Sequence, residues 1–178
     1  MNIANKLTLS RMMIIPLYIV LFLINFNNHY YFAVVIFIIA SITDFIDGYI
    51  ARNRNLITSF GKFADPLADK MLVTAALLCF MSIDRLGIWA VFIILAREYA
   101  VTGLRAAVAA DGVVLAAGIW GKAKTFFQMI GLIYLHFEVG GNFSSTILGD
   151  VFIYIMVLLT IISGVEYFYA NRKNIRVK

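Results

Sequence analysis

Charged side chains are scarce in this sequence: Asp, Glu, Lys and Arg make up 14% of its 178 residues, whereas hydrophobic residues make up 62%. Soluble domains carry about 25% charged residues, so this composition argues against a soluble protein and indicates an integral membrane protein. Cysteine is almost absent too, since the chain has Cys79 alone, and this excludes a disulfide framework. The length allows one domain, which we expect to comprise residues 1–178.

Long hydrophobic runs, in contrast, are abundant. A helix of about 20 apolar residues crosses the hydrocarbon core of a bilayer, and several segments have about this length. They are Leu7–Phe26, Tyr31–Ala51, Phe63–Ile83, Ile88–Ala110, Trp120–Phe137 and Ile147–Ala170. The sequence therefore predicts an all-α, polytopic integral membrane protein with six transmembrane helices.

The basic residues are distributed unequally between the two sides of this predicted bundle. Six spans place both termini on one side. The basic residues of that side are Lys6, Arg11, Arg52, Arg54, Lys62, Lys122, Lys124, Arg172, Lys173, Arg176 and Lys178. The connections on the other side contain Arg85 alone, so the positive-inside rule predicts a multi-pass plasma-membrane protein with both termini in the cytoplasm. Basic residues at span ends favour membrane lipid headgroups as partners and do not indicate a nucleic-acid module.

Carboxylates interrupt the second and third hydrophobic segments. They are Asp44, Asp47, Asp65 and Asp69. An ionised Asp near the middle of a span costs about 2.5–3.5 kcal/mol, so these groups require a metal, a cationic partner or water. Residues three or four apart share a helix face, so two antiparallel helices can bring the carboxylates together. An all-oxygen cluster of this kind suits a hard divalent cation, Mg2+ or Mn2+.

Two other interpretations of the aspartates are open. Ion pairs with Arg52, Lys62 and Lys70 would leave one carboxylate unmatched, and apolar residues would fill a structural role better. A divalent-cation transporter predicts acidic groups spaced across the bilayer. The aspartates instead gather at one depth, which favours a catalytic cavity that faces the cytoplasm. Both histidines, His29 and His136, lie at the opposite face and are not expected to be ligands.

The aspartates belong to a longer motif. It reads Asp44-Phe-Ile-Asp47-Gly48-Tyr-Ile-Ala51-Arg52, then eight residues, then Gly61-Lys-Phe-Ala-Asp65-Pro-Leu-Ala-Asp69. This motif resembles the signature of the CDP-alcohol phosphotransferases at every fixed position, and the six-span layout extends the resemblance to nearly the whole chain. The resemblance implies a homodimeric enzyme with two divalent metal ions per active site. Its reaction would transfer a phosphatidyl-type group from a CDP-linked lipid to an alcohol and release CMP.

The same resemblance implies roles for individual residues. The metal ligands would be Asp44, Asp47, Asp65 and Asp69, and Asp69 would also act as the general base. The residues that would bind the CDP-lipid are Asn5, Thr8, Asp44, Gly48, Ala51, Arg52 and Gly61. By local chemistry alone, Thr8 is equally a helix cap before the first span.

A second group of polar residues lies in or near the cytoplasmic halves of the fourth and fifth spans. Its cations are Arg97, Arg105, Lys122 and Lys124. Residues 97 and 105 lie about 80° apart on a helix and can line one wall of a cavity. Together the cations favour an acceptor that already carries phosphate. Alternatively, each cation snorkels to the membrane surface or pairs with Glu98 or Glu166.

Three further strings bear on the identity of the acceptor. They are Arg97-Glu-Tyr-Ala-Val-Thr-Gly-Leu-Arg105, Gly121-Lys-Ala-Lys124-Thr125 and Asn2-Ile-Ala-Asn5-Lys-Leu-Thr8-Leu-Ser-Arg11. These strings are similar to segments of the phosphatidylglycerophosphate synthases, and they imply CDP-diacylglycerol as donor and sn-glycerol 3-phosphate as acceptor. The product would be phosphatidylglycerophosphate, a precursor of phosphatidylglycerol. Phosphatidylinositol-phosphate, phosphatidylserine and cardiolipin synthases would share the aspartates and differ in the acceptor pocket, so these activities stay open as alternatives.

Overall fold

A computed structural model describes residues 3–53, 59–110, 115, 118–141 and 146–172. Within its helices, the side chains of residues 3–9, 11, 44–53, 59–66, 69 and 110 lie outside the description. The helices are α1 (Ile3–Leu23), α2 (His29–Asn53), α3 (Ser59–Ser82), α4 (Ile88–Ala110), α5 (Ile119–Val139) and α6 (Thr146–Asn171). Every regular element in the described ranges is helical, which confirms the predicted all-α class.

Each predicted hydrophobic segment corresponds to one helix, but most of the bounds differ. The helix α4 has the predicted bounds, whereas α1 ends at Leu23, before the predicted Phe26, and several helices begin earlier than the apolar runs. For example, α1 begins at Ile3, before the predicted Leu7, and α3 begins at Ser59, before the predicted Phe63. Backbone hydrogen bonding continues through polar residues at helix ends, and a search for apolar runs leaves these residues out. Two of the turns between helices contain Asn28 and Asp84 with positive φ, a conformation that Asn and Asp tolerate better than most residues.

Among the described residues, α6 is the one helix with both the length and the apolar character to cross a membrane, with a mean hydropathy of 2.2. Shorter apolar stretches occupy Met12–Leu23 of α1, His29–Thr43 of α2 and Lys70–Ser82 of α3. The last two stretches adjoin the parts of α2 and α3 that carry the aspartates. The arrangement of six membrane spans therefore stays a prediction.

The chain divides into two compact units, and the first comprises residues 1–83 and 135–144. In this unit α1 packs against both α2 and α3. Its core contains the rings of Tyr18, Phe22, Phe37 and Phe80 around the fully buried imidazole of His136. A hydrogen bond of 2.9 Å joins the Tyr18 hydroxyl to His136 Nε2. The C-terminal turns of α5 are thus fixed to the three N-terminal helices of this unit.

Both histidines have hydrogen-bond partners within the first unit. His136 bonds to Tyr18, and the ring of His29 bonds through Nδ1 to the carbonyl oxygen of Phe22 at 3.1 Å. The Tyr31 hydroxyl donates to the carbonyl oxygen of Gly140 at 2.9 Å, which adds a second link to the residues after α5.

The second unit comprises residues 84–134 and 145–178. Here α4 packs against α6, and contacts near both ends show that the two helices run in the same direction. Near their beginnings, Arg85 pairs with Asp150 at 2.8 Å, and near their ends Arg105 bonds to Tyr167 at 3.0 Å. On α5, Gly131 accommodates Met156 of α6, because a Cβ at position 131 would lie 2.9 Å from the Met156 sulfur.

We expect Tyr18→Phe to lower the thermal stability of the purified protein. The substitution keeps the ring and removes the hydroxyl that bonds to buried His136, a loss of about 1 kcal/mol. The measurement is the unfolding temperature in detergent. Tyr154→Phe is the matched control, since Tyr154 is exposed, and equal unfolding temperatures for the two variants would contradict the structural role assigned to the Tyr18 hydroxyl.

Candidate active site

The aspartate motif lies on two neighbouring helices of the first unit. Asp44 and Asp47 belong to α2, Asp65 and Asp69 belong to α3, and these helices contact each other. The helical backbone on which the spacing argument depends is therefore confirmed. The four carboxylate groups lie outside the described side chains, so their predicted convergence and their role as metal ligands stay predictions.

The other residues predicted to bind the CDP-lipid occupy the same three helices. Asn5 and Thr8 belong to α1; Gly48, Ala51 and Arg52 belong to α2; and Gly61 belongs to α3. Since α1 packs against both α2 and α3, these segments belong to one packed group of helices. Their side chains are likewise outside the description, and their contacts with a ligand stay predictions.

The donor chemistry of the aspartate motif fits a hard divalent cation. Four carboxylates supply oxygen ligands only, which is the preference of Mg2+ and Mn2+. Among the side chains that the structure describes, no three His, Cys, Asp or Glu residues form a competing group suited to hold a metal. By the chemistry of its ligands, the aspartate motif is a candidate metal site.

The predicted acceptor cations lie in the second unit, where two of them meet at one carboxylate. Glu98 of α4 is buried, and its Oε1 accepts a hydrogen bond from Arg97 Nη1 at 3.1 Å. The same oxygen accepts a hydrogen bond from Nζ of Lys124, which is 2% exposed. A buried ammonium group requires such a partner, because its desolvation costs several kcal/mol.

This pairing agrees in part with the alternative to a phosphate-binding role, in which each cation pairs with Glu98 or Glu166. Arg97 and Lys124 do pair with Glu98. Glu166 lies beside Gly118, where an added Cβ would be 2.7 Å from the nearer carboxylate oxygen. In these contacts one carboxylate is shared by an arginine and a lysine, and both of these cations are side chains that bind anionic ligands in proteins.

Glycines provide the space that Arg97 occupies. A Cβ at Gly164 of α6 would lie 3.2 Å from Arg97 Cγ, and a Cβ at Gly121 of α5 would lie 3.5 Å from Arg97 Nη2. The first of these distances is shorter than most real contacts of a Cβ atom, so a larger residue at position 164 would push the arginine away. Glycine at position 164 thus leaves room for the stem of Arg97, whereas a Cβ at position 121 would make only an ordinary contact with the guanidinium.

Two buried nitrogen donors beside this cluster have no hydrogen-bond acceptor among the described residues. They are Nε of Arg97 and Nε2 of Gln128, which lies one helical turn beyond Lys124 on α5. Nearly all buried polar groups in proteins have partners, and exceptions often mark sites that a ligand or water completes. These two nitrogen atoms can therefore donate hydrogen bonds to an oxygen-rich ligand.

Arg105 is held separately from the Glu98 cluster. Its Nε donates to the Tyr167 hydroxyl at 3.0 Å, and its guanidinium carbon lies 5.3 Å from the centre of the Tyr167 ring. Lys122 is exposed at the beginning of α5, and its position in an acceptor site stays a prediction.

The sequence motifs did not identify Tyr167, Gly164 or Gln128, and they identified Glu98 only as one of two possible partners for a cation. A Gln and a Glu in a hydrophobic span are unusual enough to be noticed from the sequence. Gly164 and Tyr167 give no such signal, since Gly and Tyr are common in membrane helices and at their ends.

An all-helical fold with this aspartate motif defines a class of transferases that act on CDP-linked alcohols. Residues 1–162 match the family model described as CDP-alcohol phosphatidyltransferase, a range that includes the aspartates and the Glu98 cluster. The chain therefore belongs to the CDP-alcohol phosphatidyltransferase family.

Curated relatives are similar over nearly the whole chain. A Bacillus subtilis protein named CDP-diacylglycerol--glycerol-3-phosphate 3-phosphatidyltransferase is 41% identical, over 96% of this chain and 95% of its own length. A Rickettsia felis protein of the same name is 41% identical over 97% of this chain and 96% of its own length. A Mycobacterium tuberculosis protein named probable phosphatidylglycerophosphate synthase is 38% identical over 93% of this chain and 79% of its own length.

We expect Glu98→Gln to destabilise the protein strongly. The substitution keeps the shape of the side chain but removes the negative charge shared by Arg97 and Lys124, and removing one partner of a buried ion pair costs about 3–5 kcal/mol. Thermal unfolding in detergent measures the effect.

Asp150→Asn is the matched control. It breaks the pair with Arg85 in the same unit, but the Asp150 side chain is 53% exposed, and exposed pairs contribute about 0–1 kcal/mol. If the two variants unfolded at the same temperature, Glu98 would not be the required counter-charge of the buried cations.

Proposed function

We propose that this protein transfers the phosphatidyl group of CDP-diacylglycerol to sn-glycerol 3-phosphate, giving phosphatidylglycerophosphate and CMP. Membership of the family supports the type of reaction, and the names of relatives that match nearly the full chain support the two substrates. Within the structure, the observation that carries the choice of acceptor is the meeting of Arg97 and buried Lys124 at Glu98, which suits a substrate that brings its own phosphate.

In this proposal the six helices cross the plasma membrane, both termini lie in the cytoplasm, and the active-site cavity opens on that side. The chain acts as a single domain of residues 1–178 and forms a homodimer in the lipid bilayer. Large apolar side chains exposed on separate helices support the membrane assignment, because contact with lipid removes them from water. Examples are Met13 on α1, Ile39 on α2, Trp89 on α4, Ile119 on α5 and Leu158 on α6.

The donor site is assigned to the first unit. Asp44, Asp47, Asp65 and Asp69 would hold two divalent ions, Mg2+ or Mn2+, and bound metal would neutralise negative charge on the pyrophosphate and the departing CMP. Asn5, Thr8, Gly48, Ala51, Arg52 and Gly61 would bind the CDP part of the lipid. The acyl chains would stay in the bilayer.

The acceptor site is assigned to Arg97, Arg105, Lys122 and Lys124. These cations would bind the phosphate of glycerol 3-phosphate, whose free primary hydroxyl is the nucleophile of the reaction. Asp69 would remove the proton of that hydroxyl while its oxygen forms a bond to the lipid-linked phosphorus. The bond from this phosphorus to the CMP oxygen breaks in the same displacement, so one phosphoester replaces the pyrophosphate linkage.

The direct test is an assay of the protein purified in detergent. CDP-diacylglycerol and glycerol 3-phosphate should give phosphatidylglycerophosphate and equimolar CMP when Mg2+ or Mn2+ is present, and a chelator should abolish both. Serine, inositol phosphate and phosphatidylglycerol serve as competing acceptors. A preference for any of them would refute the proposed acceptor. Metal uptake into sealed vesicles without CMP release would refute the proposed enzymatic activity and support a transporter.

We expect Asp69→Asn to reduce turnover by at least about 100-fold, since a positioned general base contributes about 10²–10⁴-fold. Binding of CDP-diacylglycerol should persist in large part, because three other aspartates of the motif are unchanged. Product formation and equilibrium binding of the CDP-lipid are measured on the same preparation. Asp150→Asn, an exposed carboxylate of the second unit, provides a control with wild-type turnover; near-normal activity of Asp69→Asn would exclude Asp69 as the base.

A further inference from the structure

We propose that Tyr167 is a positioning residue for the acceptor: its hydroxyl holds Nε of Arg105, so that the terminal nitrogens of this guanidinium are presented to the acceptor's phosphate. This inference rests on the proposed function. It concerns a residue beyond position 162, where the match to the family model ends.

The contact between Tyr167 and Arg105 fixes the arginine in two ways. The Nε to hydroxyl distance is 3.0 Å, and the guanidinium carbon lies 5.3 Å from the ring centre. The hydrogen bond engages one of the five N–H groups of the guanidinium. The terminal nitrogens, which carry the other four, suit a phosphate, to which arginine donates parallel hydrogen bonds.

Tyr167 itself is held firmly. Its side chain lies in the interface of α6 with α4 and is 3% exposed. At the end of α6, Asn171 Nδ2 donates to the Tyr167 carbonyl oxygen at 2.8 Å, so the last helical turn is closed around this residue. The Tyr167 hydroxyl oxygen is therefore held in a fixed position, and its hydrogen bond restrains the long side chain of Arg105.

The same face of α6 contacts both arginines of the proposed acceptor site. Gly164 and Tyr167 are three residues apart and therefore lie on one face of the helix. Gly164 leaves space for the stem of Arg97, and Tyr167 supplies an oxygen to Arg105. One face of α6 therefore contacts the stem of Arg97 and the guanidinium of Arg105.

The physical consequence is pre-organisation of acceptor binding. An arginine loses rotamer entropy when it is fixed on a ligand, and a side chain already fixed in the free protein loses less. The Tyr167 hydroxyl should therefore lower KM for glycerol 3-phosphate. It has no part in proton transfer or in release of CMP, so kcat should depend on it little.

Tyr167→Phe tests this inference, since it keeps the ring and the contact with the guanidinium face and removes only the hydroxyl. At saturating CDP-diacylglycerol we expect KM for glycerol 3-phosphate to rise about tenfold, which corresponds to about 1.4 kcal/mol. We expect kcat to stay within about twofold of wild type and KM for CDP-diacylglycerol to stay unchanged. The unfolding temperature should fall no more than that of Tyr18→Phe, since each substitution removes one hydrogen bond of a buried tyrosine hydroxyl.

Tyr169→Phe is the matched control. Tyr169 lies on the same helix and its ring faces a cation, with the guanidinium carbon of Arg172 4.4 Å from the ring centre, but it is 66% exposed. All its kinetic constants should equal those of wild type.

Arg105→Lys provides a second variant that keeps the charge and loses Nε as a donor. We expect it to raise KM for glycerol 3-phosphate, and we expect the double variant with Tyr167→Phe to raise KM no further, because the hydroxyl acts through Arg105. If the double variant raised KM for glycerol 3-phosphate by the product of the two single-variant factors, the inference would be overturned.

The remaining outcomes separate this inference from the proposed function. If the wild-type protein makes phosphatidylglycerophosphate but Tyr167→Phe has a wild-type KM, the positioning role is refuted and the function stands. If kcat and both KM values change together, Tyr167 has a general structural role and the inference is again refuted. If the wild-type protein makes no phosphatidylglycerophosphate from these substrates, the proposed function fails, and the inference fails with it.

Discussion

Burial of positive charge is the constraint on which the second unit depends. Lys124 has its ammonium group in the interior, and Arg97 lies beside it, so both require a counter-charge that the same unit must supply. Glu98 supplies it through one carboxylate oxygen shared by the two cations. Apolar residues would fill a purely structural role more simply. Two cations that meet at one carboxylate suit a site for an anion.

This electrostatic arrangement depends on the packing of α4 against α6 and on side-chain contacts from α5. Gly164 lacks the Cβ atom that would crowd the stem of Arg97, so the arginine can lie against α6. The direction shared by α4 and α6 brings Tyr167 to the level of Arg105. The positions of the guanidinium and ammonium groups therefore depend on three uncharged or acidic features. These are the space at Gly164, the Tyr167 hydroxyl and the Glu98 carboxylate.

Much of the fold follows directly from the pattern of hydrophobic residues. The six apolar runs correspond to the six helices, because long apolar segments have few alternatives to a helix that satisfies its own backbone hydrogen bonds. Helix ends were less predictable, as α1 and α3 show, since polar residues extend a helix without extending an apolar run. The involvement of His136 in an aromatic core was also beyond sequence patterns, because its partner Tyr18 lies 118 residues away.

The sequence by itself determined the helical class, the aspartate motif and membership of the family, because these depend on local composition and on spacing within single helices or neighbouring pairs. From the cations of α4 and α5 it also predicted an acceptor that carries phosphate. Only the tertiary structure decided which partner holds each cation. Lys124 meets Glu98 across 26 residues and Arg105 meets Tyr167 across 62, and helix packing creates these contacts without any periodic pattern in the chain.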